Sequence, residues 1–453
     1  MADVSRRSVL RSVSSACAAA ALPTGLAPRL DASRLSVKAG DRKSAAKPLM
    51  EYFRQNAPKL LRSAQGPLKH PSIAPSLPGK EYSAELWDWD TLWTARGLFR
   101  FANLAQDKAF HDEVVVHARG SLLDFFEHQT PEGRLPLVIN AAHPLDGALP
   151  YKAPNYQNQA KPVMGQLALL VADEAGTTDE LAPIFESLLR FYDSWILGNM
   201  TGTGLLVWGD DVSIGNDNDP TTFGRPFFSS ANLLLNTFFY QDLRAAVSLG
   251  QRLGRPVAEL DLLNARADAL GKAIQEHCWD ARDGFYYTVD VQCQDRRSEL
   301  LPGVPQGMAM SWSTIPLRLQ VFTGFLPLWC GLASKEQAAT MMRRNYFADD
   351  RFRANFGVRS LSNLESMYSM AFSGNPSNWL GPVWIIVNYL TWKGLTAYGY
   401  DDAADELADK TVRLLTAGLQ KDGSLNEYYH PDSGAPLSHK GFMDWNLLVL
   451  EMI

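Results

Sequence analysis

Apolar residues recur at helical spacing along most of this chain. Around Met50 the residues Leu49, Tyr52, Phe53 and Leu60–Leu61 fall at that spacing. The same period predicts helices over 92–104, 109–128, 162–173, 179–197, 230–249 and 257–277. It continues over 314–333, 335–344, 361–370, 383–398, 401–419 and 444–452. Ser334 ahead of Lys335-Glu336-Gln337 reads as a capping box, and Asp401 or Asp402 as the cap of the helix behind it. Strand-like alternation is scarce; Gly284–Val289 reads as one limb of a hairpin. Roughly a dozen helices with uneven loops predict an all-α fold, a toroid of paired helices in two rings. Function belongs where its long loops converge.

Two stretches break the helical period. Trp208–Pro226, WGDDVSIGNDNDPTTFGRP, carries Asp210, Asp211, Asp217 and Asp219 between glycines and prolines. Long structureless loops in compact domains tend to be functional or disordered, and the apolar flanks Leu205–Val207 and Phe227–Phe228 argue against disorder here. A solvated acidic turn is the plainer reading of its composition. The second stretch is Gly423–Gly434, GSLNEYYHPDSG, where Glu427 stands beside Tyr428 and Tyr429. A partly desolvated carboxyl has a raised pKa suited to proton transfer, and aromatic faces bind sugar faces. Carboxylates from two distant loops on an aromatic-rich scaffold fit glycosidic bond cleavage.

Composition narrows the classes. Of 453 residues, 46% are hydrophobic and 20% charged, as in an ordinary globular protein. The net charge of −6, without a basic stripe, argues against nucleic acid or an anionic membrane as partner. No run of apolar residues is long enough to span a bilayer. Twelve tryptophans serve either as interhelical filler or as the wall of a sugar cleft. Ser5-Arg6-Arg7-Ser8-Val9-Leu10 and the weakly apolar run after it resemble a twin-arginine signal over 1–27, predicting export to the periplasm or beyond. Residues 28–47 read as a linker and 48–453 as the catalytic domain. Cys278 and Cys293 could pair after export, although free buried thiols suit the spacing better.

Four motifs, in order, resemble the glycoside hydrolase family 63 and 37 clan: mannosylglycerate and glucosylglycerate hydrolases, processing α-glucosidases and trehalases. Trp89-Asp90-Thr91-Leu92-Trp93 resembles a W-D-S/T-x-W pattern in which the Asp bonds sugar hydroxyls and the tryptophans pack nearby. Asp90 also suits a helix cap. Gly209-Asp210-Asp211-Val212-Ser213 resembles G-x-D-x-S, which implies Asp211 as general acid, with Arg225 as the arginine that follows. Gly374-Asn375-Pro376-Ser377-Asn378-Trp379-Leu380-Gly381-Pro382-Val383-Trp384, running to Asn388-Tyr389, is similar to a sugar-lining segment, with the Gly-Pro entry into a Trp-rich helix its most specific part. Glu427-Tyr428-Tyr429 with Pro431 and Gly434 resembles the general-base segment, and Phe442–Trp445 the stretch behind it. Pro154-Asn155 and Lys161-Pro162 resemble a segment before a cleft helix.

The resemblance implies an (α/α)6 domain and an inverting α-glycosidase, with Asp211 protonating the leaving oxygen and Glu427 activating water. Asp210 is then expected to raise the Asp211 pKa as a like charge. No metal or organic cofactor is implied. With no β-rich segment ahead of Met50, a small α-glucoside or α-mannoside is the expected substrate: a disaccharide or a glycosyl-glycerate. A carboxylate on the aglycone needs a cation, for which Arg225 and Lys161 are available. A trehalase or oligosaccharide glucosidase remains open, as do a histidine-based epimerase and a non-catalytic sugar binder. Asp217-Asn218-Asp219 lacks the spacing of a calcium loop and reads as loop-shaping, with a possible substrate contact.

Overall fold

The computed structural model describes residues 39–141, 158–211, 214–293, 303, 312–371 and 376–453. The signal expected over 1–27 lies outside them, as do Pro154, Asn155, Val212, Ser213, Gly374 and Asn375. Twelve α-helices occur among the described residues. They are α1 (Ala39–Ala45), α2 (Lys47–Asn56), α3 (Asp88–Ala105), α4 (Lys108–Glu127), α5 (Met164–Ala175) and α6 (Ala182–Asn199). Then come α7 (Leu233–Arg252), α8 (Val257–Cys278), α9 (Leu326–Trp329), α10 (Lys335–Met341), α11 (Ile385–Ala397) and α12 (Asp401–Asp422). A 3-10 turn over Trp445–Met452 takes the place of the last expected helix.

Packing order explains how these elements hold a site. Starting from α3, contacts run to α5, then α7, α9, α11 and the 3-10 turn, which packs back on α3. That circuit is closed. Helices α4, α8 and α12 lie against α3, α7 and α11. The circuit residues are buried over most of their length: in α11, Ile385 through Thr391 are all buried. A helix apolar all round belongs inside a large core rather than at a surface.

Antiparallel ribbons tie the loops. Glu85–Trp87 pairs with Val138–Asn140, and Ser230–Ala231, Val289–Asp290 and Ile315–Pro316 form three strands. The expected limb 284–289 is divided between two of these ribbons: Phe285–Tyr286 pairs with Trp279–Asp280, and Val289 with Ala231.

Several expectations give way to tertiary contacts. The stretch 361–370 is not helical, because Leu361 bridges to Val321 while Phe322 donates to the Ser360 carbonyl and Ser362 to that of Gln320. Within 314–333 the helical pieces are α9 and a short 3-10 turn: Ile315–Pro316 pairs instead as a strand, and Pro327 lacks the N–H that a helix running through it would need. The capping box at Ser334 and Gln337 is present. Asp401 and Asp402 sit in the first turn of α12, favouring its positive end, but neither caps it. Asp90 likewise lies in the first turn of α3 behind an N-cap at Trp87.

The expected linker 28–47 already contains α1. Arg42 anchors it, donating from Nε to Asp409 at 2.6 Å, from Nη2 to Asp405 at 2.9 Å and from Nη1 to the Met452 carbonyl at 3.1 Å. A two-turn polar helix has no period to read; its partner lies on α12. Cys278, Cys293 and Cys330 are free, buried thiols.

Candidate active site

The segments just ahead of the circuit helices converge on one cavity of about 100 Å³. Trp87, Trp89 and Asp90 come from the start of α3, Lys161 from just before α5, and Gly215 and Asp217 from the loop before α7. Ser377 precedes α11, and Glu427 and Trp445 precede and open the 3-10 turn; Tyr82 completes the wall. At roughly 10–15 Å³ per enclosed water, the space suits several waters or one sugar ring.

Asp217 is held in place by its neighbours. Asn218 Nδ2 donates to Asn378 Oδ1 at 3.0 Å, and Asn218 Oδ1 accepts from the Trp379 N–H at 2.6 Å. On the other side the fully buried Asp219 accepts from Thr221 N–H (2.8 Å), Thr221 Oγ1 (2.7 Å), Asn216 Nδ2 (2.5 Å) and Asn232 Nδ2 (3.1 Å). Residues 218 and 219 therefore staple the loop in opposite directions with Asp217 at the cavity. The loop-shaping expected of this triplet falls to Asn218 and Asp219.

Asp211, the expected acid, is not among the cavity's lining residues. Its Oδ2 accepts from the Gly224 N–H at 2.6 Å. Asp210 is turned to Asn158, whose Nδ2 donates to its Oδ1 at 2.9 Å. Of the four aspartates in this loop, Asp217 is the one the fold delivers to the cavity.

Glu427 is 4% exposed. Its backbone is fixed: the N–H donates to Ser438 O at 3.2 Å, and its carbonyl accepts from Trp445 Nε1 at 3.0 Å. Its Oε2 is hydrogen-bonded to His439 Nδ1. Burial raises the Glu427 pKa, the His439 hydrogen bond and charge oppose this, and the nearby Asp217 charge adds to the rise. Burial also lifts Asp90, which faces Asp444 behind it; Asp444 in turn accepts from Thr94 Oγ1 at 2.9 Å.

Lys161 belongs to a buried ion pair. Its Nζ lies 2.9 Å from Asp88 Oδ1 and 5.4 Å from the centre of the Trp89 ring. Arg225 is committed to Asp290 and is not among the residues lining the cavity.

The expected aromatic residues divide into two groups. Trp89 and Trp445 line the cavity, their rings 5.9 Å apart. Behind them Trp379 stacks on Trp384 at 3.9 Å and Trp384 on Tyr428 at 4.6 Å, a buttress that holds Trp89 at 6.1 Å from Trp379. The Tyr428 hydroxyl is spent on the Pro376 carbonyl at 2.5 Å. Trp93 is buried against Phe238, Trp329 and Tyr389. Gly381, at φ +136°, packs so tightly that a Cβ would collide with the Tyr368 ring. Tyr82, Trp87, Gly215 and His439 carry no motif, whereas Ser377 lies in the third one. Gly215-Asn216-Asp217 was visible only as a glycine and an acid in a crowded acidic loop.

The family profile described as "Mannosylglycerate hydrolase MGH1-like glycoside hydrolase domain" matches residues 84–443. Mannosylglycerate hydrolase MGH1 of Selaginella moellendorffii is 33% identical over 112 residues, 24% of this chain and 20% of that enzyme. The mannosylglycerate hydrolase of Rubrobacter radiotolerans is 24% identical over 207 residues, 46% of this chain and 40% of that enzyme. The chain thus aligns with less than half the length of these curated relatives. Among solved structures, the mannosylglycerate hydrolase of Thermus thermophilus in complex with glucose has a TM-score of 0.62 at 19% identity, covering 90% of this chain and 98% of that one. The neutral trehalase Nth1 of Saccharomyces cerevisiae has a TM-score of 0.58 at 16% identity, covering 85% and 74%. These likenesses carry the fold. The profile spans most of the chain, and this protein belongs to the MGH1-like glycoside hydrolase family.

Proposed function

We propose that this protein is an inverting α-glycosidase of small substrates, with Asp217 as general acid and Glu427 as general base. The observation that carries the reading is that these two carboxylates, from loops about two hundred residues apart, line one cavity with Trp89, Trp445 and Asp90. Asp217 replaces Asp211 in the acid role because a general acid must reach the oxygen it protonates. The closed circuit from α3 to the 3-10 turn supports the (α/α)6 toroid.

The chemistry is a single displacement. Asp217 gives its proton to the glycosidic oxygen as the bond from that oxygen to the anomeric carbon breaks. Glu427 takes a proton from the water that bonds to the opposite face of that carbon. The proton then returns from Glu427 to Asp217 by way of solvent. Two like charges in one low-dielectric cavity push their pKa values apart, which is what an acid and a base need at one pH. Asp90 hydrogen-bonds sugar hydroxyls, while Trp89 and Trp445 pack on the apolar face of the ring.

The preferred substrate class is an α-mannoside or α-glucoside of glycerate. Support comes from those curated relatives that are named mannosylglycerate hydrolases; others are trehalases. Among the described lining residues Lys161 is the one Lys or Arg side chain, and Asp88 neutralises it. The glycerate carboxylate therefore binds through neutral donors or through a residue outside that lining. Export by the twin-arginine segment stays part of the reading, motivated by Arg6-Arg7 and the run behind them; Arg6/Arg7→Lys then holds the precursor in the cytoplasm. The decisive experiment for the enzyme is hydrolysis of mannosylglycerate, glucosylglycerate and trehalose, with the first product anomer followed by NMR. Retention of configuration, or full activity in Asp217→Asn, overturns the assignment.

A further inference from the structure

Resting on the glycosidase reading, we propose that His439 is the positioning residue that makes Glu427, and not Asp217, the ionised member of the carboxylate pair. His439 Nδ1 bonds Glu427 Oε2 directly. The same nitrogen lies 3.1 Å from Ser438 Oγ and 3.3 Å from the Tyr82 hydroxyl. Tyr82 also meets the imidazole edge to face, with ring centres 5.0 Å apart. The His439 backbone is at φ +30°, a region L-residues rarely adopt. Such conformations persist where surrounding contacts fix them, and they cluster at functional sites.

A pair of interacting carboxyls needs something to decide which one keeps the proton. Burial and the Asp217 charge both push Glu427 toward its neutral form, which has no use as a base. Opposing them are the hydrogen bond and charge of His439 and a smaller contribution from Ser438. Among the described residues, the other titratable groups acting on Glu427 do not help. Asp444 and Tyr428 each interact unfavourably with the Glu427 charge, as does Tyr82; Asp90 adds negative charge beside Asp444. Glu81 acts on His439, favouring its cationic form. Lys161, the cavity's ammonium, is spent on Asp88. Among the described residues, His439 is the basic side chain in contact with Glu427. Without it the proton settles on Glu427, Asp217 is left ionised, and water and leaving group both lose their partner.

The test compares His439→Ala, which removes donor and charge, with His439→Asn, which keeps a neutral donor near the Nδ1 position and tolerates the left-handed backbone. Thermal unfolding establishes that both are folded. In His439→Ala the acid limb of the kcat/KM profile is expected to move up by about one pH unit or more. His439→Asn is expected to fall between it and the wild type. Limbs that coincide with the wild type in both variants, whatever the loss of rate, overturn the proposal. A second readout needs no substrate. The His439 resonance, found by its absence from His439→Ala, is expected to titrate above the ordinary histidine range and to fall back in Glu427→Gln. A resonance unmoved by Glu427→Gln overturns the proposal by itself. Intact coupling in a protein that hydrolyses no glycoside instead counts against the glycosidase reading alone.

Discussion

Two concave regions of this molecule invite comparison, and the larger is the less eventful. A recess of about 600 Å³ is lined by Arg282, Arg318, Arg344 and Arg351 with Asp283 and Glu365. Its charges are largely answered. Arg318 donates to Asp280 from Nε at 2.9 Å and Nη2 at 2.5 Å, Arg351 Nη1 donates to Asn345 Oδ1 at 3.1 Å, and Tyr287 donates to Asp283 at 3.2 Å. The cavity of about 100 Å³ instead gathers Asp90, Asp217 and Glu427 behind aromatic walls, where burial drives Asp90 and Glu427 toward protonation. Holding like charges together out of water opposes folding, so a fold that does so points to chemistry. Volume does not.

The sharpest way to break this comparison is to neutralise each region in turn. Asp217→Asn and Glu427→Gln are each expected to lower kcat by about 10²–10⁴-fold with unfolding temperature little changed, since each removes one proton-transfer partner. Arg344→Ala in the large recess is expected to leave kcat/KM within about twofold, as for other exposed substitutions. Steady-state kinetics on one glycosyl-glycerate decides both. A loss in Arg344→Ala comparable with Glu427→Gln would move the active site to the recess.

Next in size is Gly215, which lets the loop pass close over the cavity floor. A Cβ there would stand 2.5 Å from Lys161 Cε and 3.2 Å from the Trp89 ring, on a backbone at φ +98°. Gly215→Ala is expected to displace Asp217 and lower kcat/KM by on the order of 10²-fold, the scale of an ångström-sized misplacement. Kinetics equal to the wild type would mean the loop's course does not set the acid's position.

A smaller effect separates the two aspartates of the first loop. Asp211→Asn removes a carboxylate that caps the Gly224 N–H, and kcat is expected to stay within about threefold. A collapse of activity there, with Asp217→Asn active, would return the acid role to Asp211.

The smallest effect at neutral pH is expected behind the cavity. Burial and the neighbouring Asp90 raise the Asp444 pKa well above the carboxylate range. Such a group holds its proton more tightly folded than unfolded. Its contribution to stability is complete below the unfolded pKa and is lost as pH rises through the folded one. Asn imitates the protonated acid, so Asp444→Asn is expected to keep activity near pH 7. Its unfolding temperature should gain on the wild type as pH rises. A margin that narrows with rising pH would show that Asp444 is ionised.

Helical periodicity was enough to place most of the long helices, because an apolar stripe repeats wherever a helix lies on a core. It could not reject 361–370, where the start of the stretch is bonded to residues 320–321 and the rest runs through turns. Glu427 was legible because it stands directly beside two aromatic residues, Tyr428 and Tyr429. Four aspartates in one loop offered no such contrast. Which of them reaches the cavity depends on Asn218 bonding Asn378 and Trp379, about 160 residues away, and on Asp219 being fixed by Thr221 and Asn232. Tyr82 and His439 carry no local pattern, and they meet the site only because the circuit of helices closes. The sequence by itself determined a helical glycoside hydrolase and singled out Glu427; the tertiary structure decided which aspartate shares its cavity and what surrounds the two. The physical reason is range: periodicity acts between neighbours, whereas side-chain orientation in a loop is set by whatever the fold brings against it.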